Sequence, residues 1–313
     1  VCSSDLMEKV IVVIGPTSVG KTKMGVALAK KLNGEVISGD SMQVYRQMDI
    51  GTAKVTIEEM EGVTHHCIDI LDPKDQYSVH DFQQTVRKQI TEITNRGHVP
   101  IIVGGTGLYI KAALYDYTFS EMENNHDEIN KKYKDYTNEQ LYAHLKQIDE
   151  ESAKILHFNN RRRVLRAIEI YEQTGQKKSE MINEQEHICL YDAYFVGLTL
   201  PRELLYERIN LRVDLMMKNG LQGEMESLIK QGLTRENQSM KAIGYKEWFD
   251  YFEGKCDLNE VSENIKKHSR QYAKRQYTWF KNQFDVHWYD VCLENFSKTI
   301  EEVSRDLKNP NKN

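Results

Sequence analysis

The 313-residue chain is 40% hydrophobic and 28% charged, with a formal net charge of -5. This composition supplies a real core but the length exceeds that of one ordinary domain, so two domains, or one domain with an insertion, are expected. The acidic balance excludes a uniformly basic nucleic-acid binder, and no apolar run approaches the roughly 18 residues that span a bilayer.

The residues before Met7 carry no pattern and are left out of fold reasoning, with Met7 expected as the native start. Neither a basic n-region nor a long apolar stretch marks a secretory leader, so a cytoplasmic protein is expected. Lys9-Val-Ile-Val-Val-Ile14 reads as a buried parallel strand ending at Gly15-Pro16. Helical spacing follows over Lys21 to Leu32, with Met24, Ala27, Leu28 and Leu32 apolar and Asn33-Gly34 closing the helix. Glu35 to Ser38 is a second strand and His66 to Ile70 a third; Val79 to Asn95 is an amphipathic helix stopped by Gly97; Val99 to Val103 is a further buried strand. Strands alternating with helices imply a parallel α/β sheet. From Ser120 to about Glu186 the chain is polar and helical, without a good strand. Tyr194 to Leu200 returns to strand character, Pro201 opens a long helical stretch, and Val286 to Tyr289 is a late strand; the tail Asn309 to Asn313 is expected to be disordered. The five cysteines form no CxxC pair and read as reduced, structural thiols. His65 and His66 are adjacent and would point to opposite faces of a strand, which disfavours shared metal ligation.

Gly15-Pro16-Thr17-Ser18-Val19-Gly20-Lys21-Thr22 fits GxxxxGK[ST] between a strand and a helix. In such a P-loop the backbone N–H groups curl around phosphate oxygens, the helix N-terminus and the Lys21 charge favour an anion, and the Thr22 hydroxyl suits Mg²⁺. Lys21 is read as a solvent-facing loop charge. The chain is thus an enzyme that handles a phosphorylated or diphosphorylated substrate. Asp40 follows the second strand, on the edge that faces the phosphate site, where it suits a general base, a Mg²⁺ partner or, equally, a helix cap. Gln43 has the two-pronged amide that pairs with an adenine edge. Thr106, in Gly104-Gly-Thr-Gly-Leu-Tyr109, is a hydrogen-bonding candidate or an N-cap. Arg161, Arg162, Arg163 and Arg166 open a helix against its macrodipole, which favours an anionic partner over a merely solvated charge run. Residues 266 to 275 hold five Lys or Arg and no acid, and Lys267, Arg270, Lys274 and Thr278 share one helical face. Tyr272 and Trp279 either stack on bases or, more commonly, pack inward. A basic face on an acidic chain suggests a nucleic-acid groove.

These motifs, with Ser38 to Lys54 (Asp-Ser-Met-Gln-Val-Tyr-Arg, then Met-Asp-Ile-Gly-Thr-Ala-Lys), Arg161 to Glu169, Ala242-Ile-Gly-Tyr-Lys-Glu247 and Arg270 to Trp279, resemble the bacterial tRNA dimethylallyltransferase family, also called tRNA isopentenyltransferases. The resemblance runs from about Lys9 to Tyr289. It implies an α/β fold: a P-loop NTPase-like parallel sheet core over 7–117, a helical insertion over 118–193, and a mainly helical second part of the core over 194–308. It implies transfer of a dimethylallyl group from dimethylallyl diphosphate to the exocyclic amine of the adenosine 3′ to the anticodon, in tRNAs reading U-starting codons. Gly15 to Thr22 and Arg212 would hold the diphosphate with Mg²⁺ on Thr22, and Lys21, Asp40 and Thr106 would be catalytic. Asp40, Ser41, Met42, Gln43 and Thr106 would meet the target base, flipped into a channel between domains. Arg161, Arg162, Arg163 and Arg166 in the insertion, and Gly244, Tyr245, Lys246, Lys267, Arg270 and Lys274 beyond it, would meet the anticodon stem-loop. The protein would act as a monomer, without a membrane. Some relatives carry a C-terminal zinc finger that nothing here matches, and no residue within Ser120 to Leu156 is assigned a role. A P-loop small-molecule or nucleotide kinase is the alternative; it shares the loop but leaves the basic segment ending at Trp279 unexplained. A non-catalytic RNA binder would not need intact Lys21 and Thr22, and a transferase acting on free adenine nucleotides would not need two basic stretches.

Overall fold

The structure, a computed structural model, describes residues 7–117, 126–183 and 187–309. The prefix 1–6 and the tail from 310 onward, on which two of the expectations above fall, lie outside the described residues. The chain divides into two compact units, Val1–Leu114 with Cys189–Asn313, and Tyr115–Ile188.

The first unit is built on β1 (Lys9–Ile14), β2 (Gly34–Ser38), β3 (His65–His66), β4 (Val99–Val103), β5 (Asp192–Thr199) and β6 (Val286–Asp290). They form one sheet in the order β3-β2-β4-β1-β5-β6, and every pair is parallel. The central strand β1 is buried from Val10 to Ile14, as its unbroken β-branched run requires. Four helices belong to the first half, α1 (Lys21–Leu32), α2 (Ile57–Met60), α3 (Val79–Asn95) and α4 (Gly107–Leu114). Helix α1 buries Met24, Gly25, Val26, Leu28 and Ala29, whereas Ala27 and Leu32, expected inside, are half-buried. Its start, by contrast, falls at Lys21 as the motif requires.

The third strand is a correction. Only His65 and His66 pair with β2, because Cys67 (φ 62) and Asp69 (φ 54) turn into the left-handed region and end the extended run. The chain then follows the loop after β2, with the Ile70 N–H donating to the Val44 carbonyl at 2.8 Å and the Asp69 carboxylate paired at 2.5 Å with the buried Lys54 ammonium. At the opposite end of β2, the buried Glu35 accepts from Arg96 at 2.7 Å and contacts His66 and His98, each at 2.5 Å.

The second unit holds α5 (His126–Lys132), α6 (Asn138–Ile148), α7 (Glu150–Ile155), α8 (Arg161–Thr174) and α9 (Lys178–Asn183). Its own small core joins Ile129, Tyr133, Leu141, Leu145, Val164, Leu165 and Ile168. The first unit then resumes with β5 and continues through α10 (Arg202–Lys218), α11 (Leu221–Lys230), α12 (Trp248–Phe252), α13 (Leu258–Gln283) and α14 (Phe296–Lys308). No described helix is long and apolar enough to cross a membrane.

Candidate active site

Parallel strands deliver their carboxyl ends to one edge of the sheet. There β1 runs into Gly15, β2 into Gly39 and Asp40, and β4 into Gly104 to Thr106. The two turns after β2 and β4 touch: a Cβ on Gly104 would lie 2.2 Å from the Gly39 carbonyl carbon, so only glycine fits. This contact brings the Asp40 segment and Thr106 together. The Ser41 N–H donates to Thr106 Oγ1 at 3.1 Å, and the Thr106 N–H donates to the Gly39 carbonyl at 3.2 Å.

Lys21 opens α1 and turns back over the loop, donating to the carbonyls of Gly15 at 3.0 Å and Pro16 at 2.8 Å. Its ammonium is packed round by protein, so it is not the solvent-facing charge expected from the sequence. Burial, and then the nearby Arg212, lower its pKa from 10.5 to about 7, against an opposing pull from Asp40. Arg212 is itself held below the usual range by burial and by Arg208. The Arg208 Nε donates to the Ser18 carbonyl at 2.9 Å. Lys21, Arg208 and Arg212 thus gather at one loop from two helices; Arg212 disfavours the charge on Lys21 and Arg208 that on Arg212, an arrangement that suits an anion. Sequence reasoning missed Arg208; its signal was the spacing to Arg212, one helical turn apart on α10.

Asp40 caps the chain that follows it, though not a helix as its cap reading expected. One carboxylate oxygen accepts from the N–H groups of Met42 at 2.7 Å and Gln43 at 3.3 Å, capping a turn rather than a helix. The other oxygen accepts no hydrogen bond from a described residue. Burial raises its pKa, opposed by those two N–H groups and by Lys21 and Lys54. Gln43 is fixed through the Ser38 hydroxyl at 3.2 Å and the Thr52 carbonyl at 3.4 Å.

The remaining loop atoms bear on a metal. The Ser18 hydroxyl is buried and has no hydrogen-bond partner among the described residues, and Thr22 is half-buried at the start of α1. Hydroxyl and carboxylate oxygens are the hard donors that Mg²⁺ takes, and it commonly keeps few protein ligands beside substrate phosphates. The residues present therefore fit that ion.

Helix α13 crosses the site. Gln276, buried, accepts from the Thr17 N–H at 2.9 Å and donates to the Gly105 carbonyl at 3.0 Å. The Tyr272 hydroxyl donates to the same carbonyl at 3.2 Å, and Trp279 packs on Gly107. Tyr272 and Trp279 thus face inward. Gln276 gave no signal in the sequence beyond lying between basic residues. On the other faces, Lys267 and Lys274 are exposed, while Lys266 pairs with Asp214 at 2.8 Å and Arg270 donates to Asn210 Oδ1 at 2.6 Å. Arg270 is thereby turned toward α10 rather than standing with Lys274.

Among the residues matched to RNA binding, Gly244 and Tyr245 sit inside. Tyr245 is 0% exposed; its hydroxyl donates to Glu224 at 2.5 Å, and Glu224 also accepts from the Ile50 N–H at 2.8 Å. They brace the Met48 to Lys54 loop and offer no surface, whereas Lys246 is exposed. In the second unit, Arg161 donates to the carbonyls of Tyr136 and Tyr133, each at 2.7 Å. Arg166 pairs with Glu169 at 2.8 Å. Arg162 and Arg163 are exposed.

The IPP transferase family model matches residues 43–283. A tRNA dimethylallyltransferase of Bacillus cytotoxicus is 54% identical over 287 residues, covering 91% of this chain and 90% of its own. Among solved structures, the tRNA isopentenylpyrophosphate transferase of Bacillus halodurans aligns with a TM-score of 0.74 at 46% identity, over 96% of each chain. A eukaryotic dimethylallyltransferase acting on tRNA aligns with a TM-score of 0.83 at 32% identity, over 97% of this chain and 80% of that one. The chain belongs to the IPP transferase family.

Proposed function

We propose that this chain transfers a dimethylallyl group from dimethylallyl diphosphate to the exocyclic amine of the adenosine 3′ to the anticodon, in tRNAs that read U-starting codons. The observation that carries this reading is the convergence of Lys21, Arg208 and Arg212 on the P-loop with Asp40 and Thr106 beside it. In the reaction, the amine nitrogen forms a bond to the allylic carbon, the bond from that carbon to the diphosphate oxygen breaks, and a proton leaves the amine. The P-loop N–H groups and Lys21 stabilise the charge that gathers on the departing diphosphate, in a site already arranged for it. Asp40, with one oxygen fixed and one unengaged, receives the amine proton, and its raised proton affinity brings it nearer to operating pH. Thr106 holds the amine beside it. Mg²⁺, carried by Thr22 with Asp40 as an outer partner, would neutralise diphosphate charge when bound. Gln43 reads the base, and Ser41 and Met42 line its approach.

RNA backbone would rest on the exposed cations, Lys267 and Lys274 of α13, Lys246, and Arg162 and Arg163 of the insertion. The insertion over 118–193 is read as the part that grips the anticodon stem-loop, and the protein as a cytoplasmic monomer. The test is incubation with radiolabelled dimethylallyl diphosphate and unmodified tRNA, beside a parallel incubation with labelled ATP and candidate sugars or nucleotides. Label in tRNA that is lost when the adenosine 3′ to the anticodon is replaced by guanosine is the expected result. Phosphoryl transfer from ATP without prenyl transfer would make the chain a kinase and sink the reading.

A further inference from the structure

Gln276 lies two turns before the end of α13, where a polar side chain has no helical reason to be buried; it is 5% exposed. Its amide bridges two segments far apart in sequence, with Oε1 on the Thr17 N–H of the P-loop and Nε2 on the Gly105 carbonyl after β4. The fit is close from both sides. A Cβ on Gly105 would fall 2.2 Å from Gln276 Nε2 and 3.8 Å from Lys21 Nζ, so the bridge spans the floor beside the Lys21 ammonium. Gly105 is directly followed by Thr106, whose hydroxyl receives the Ser41 N–H. The Gly105 carbonyl is held a second time by Tyr272, one turn earlier on the same helix.

We infer that Gln276 is a positioning residue that fixes the P-loop relative to the Thr106 turn, setting the distance between the leaving diphosphate and the amine. A glutamine suits this place because one planar amide donates and accepts in opposite directions. An aliphatic residue would fill the volume and leave both the Thr17 N–H and one lone pair of the Gly105 carbonyl unpaired. Tyr272 alone holds the carbonyl but reaches nothing on the P-loop, so it cannot replace the bridge. The inference rests on the reading of the P-loop as the diphosphate site and of Thr106 as an amine contact.

The test uses the full chain with Gln276→Leu and Gln276→Glu. Displacement of a reacting group by about 1 Å costs on the order of 10² in rate, so Gln276→Leu is expected to lower kcat by ten- to a hundredfold. The tRNA affinity measured by filter binding should change less than twofold. Gln276→Glu has the same shape, but as the carboxylate that glutamate is at neutral pH it can accept from Thr17 and cannot donate to Gly105. Its kcat is therefore expected to fall at least tenfold while its tRNA affinity and melting temperature stay near those of the parent, a split that a mere packing role would not give. A Gln276→Glu enzyme within twofold of the parent in kcat overturns the inference. So does a Gln276→Leu enzyme within twofold of the parent in kcat, or one whose loss only tracks the folded fraction in a thermal melt. If instead the parent transfers no dimethylallyl group to tRNA, the functional reading fails, which is a separate outcome.

Discussion

Replacing Lys21 by alanine separates the catalytic part of the P-loop from its cost to the fold. The ammonium makes two hydrogen bonds, to Gly15 and Pro16, and lies among protein atoms beside Arg212. In the unfolded chain its pKa is the ordinary 10.5 and in the fold about 7. At ~1.4 kcal/mol per tenfold change in proton affinity, the charged lysine costs the fold about 5 kcal/mol at low pH. The sign follows from proton counting: between about 7 and 10.5 the unfolded chain binds the extra proton, so the parent gains stability as pH rises through that window. Below about 7 the cost is fully present. Lys21→Ala removes it and forfeits two hydrogen bonds of ~1 kcal/mol each, so its melting temperature at pH 7 should not fall and its stability relative to the parent should improve from pH 10 to pH 7. Transfer should nonetheless drop by ~10²–10³ when one preorganised donor is lost from the charge-bearing site. Calorimetry at pH 7 and 10, with initial rates of label transfer at saturating tRNA, reads both. A variant that melts well below the parent at pH 7, or that transfers at nearly the normal rate, would falsify the assignment of Lys21 to a strained anion site.

Asp40→Asn keeps the cap on Met42 and Gln43 but removes the base; kcat should fall at least a hundredfold with tRNA affinity nearly unchanged, and normal turnover at saturating tRNA would make Asp40 a positioning group. Lys267→Ala and Lys274→Ala should each reduce the slope of log affinity for tRNA against log salt by ~0.7–0.9. Arg270→Ala should lower thermal stability instead, since it loses Asn210; equal salt slopes for all three would contradict this division. Glu35, 7% exposed at its side chain, has its pKa lowered to about 2 by hydrogen bonds from Arg96 and then, against burial, from His66 and His98. Its stabilising contribution of about 3 kcal/mol is complete above pH 4.5 and lost as pH falls toward 2. Glu35→Gln should therefore destabilise at pH 7 and flatten the acid limb of the stability curve; an unchanged limb in calorimetry from pH 7 to pH 3 would rule this out.

Much of the site was legible because its chemistry is local. The P-loop needs a short apolar strand, a glycine-bearing turn and a helix start in immediate succession, so Gly15 to Thr22 declares itself in eight residues. The strands β1, β2, β4 and β5 were readable within about two residues at their ends, since burial on both faces leaves a continuous apolar run. What escaped depended on contacts across the chain. His66 to Ile70 has strand-like residues, yet Lys54 draws Asp69 aside and Cys67 turns left-handed. Ala242 to Glu247 reads as a functional motif, but Tyr245 is locked under Glu224, an acid from α11 that no local pattern links to it. Lys21 has the same identity in either setting; its burial in the folded chain, and then the approach of Arg212 from α10, are what lower its proton affinity.

Helix α13 shows where a helical period stops being informative. Over 266–275 the sequence offers one undivided basic stretch, and the period of 3.6 places Lys267, Arg270 and Lys274 on a common face. Period alone does not say which neighbour that face meets. Helix α10 lies along part of it, taking Lys266 through Asp214 and Arg270 through Asn210. These contacts anchor α13 to the helix that carries Arg208 and Arg212. Lys267 and Lys274 are left outside. On the side opposite Lys267, Tyr272 and Gln276 recur four residues apart and reach the Gly105 carbonyl. One helix therefore carries a surface open to phosphate, an anchor to the cationic helix and the bridge over the P-loop. Substitutions one or two residues apart on it should have unlike consequences: Lys274→Ala an RNA affinity defect with normal kcat, and Gln276→Leu a kcat defect with normal RNA affinity.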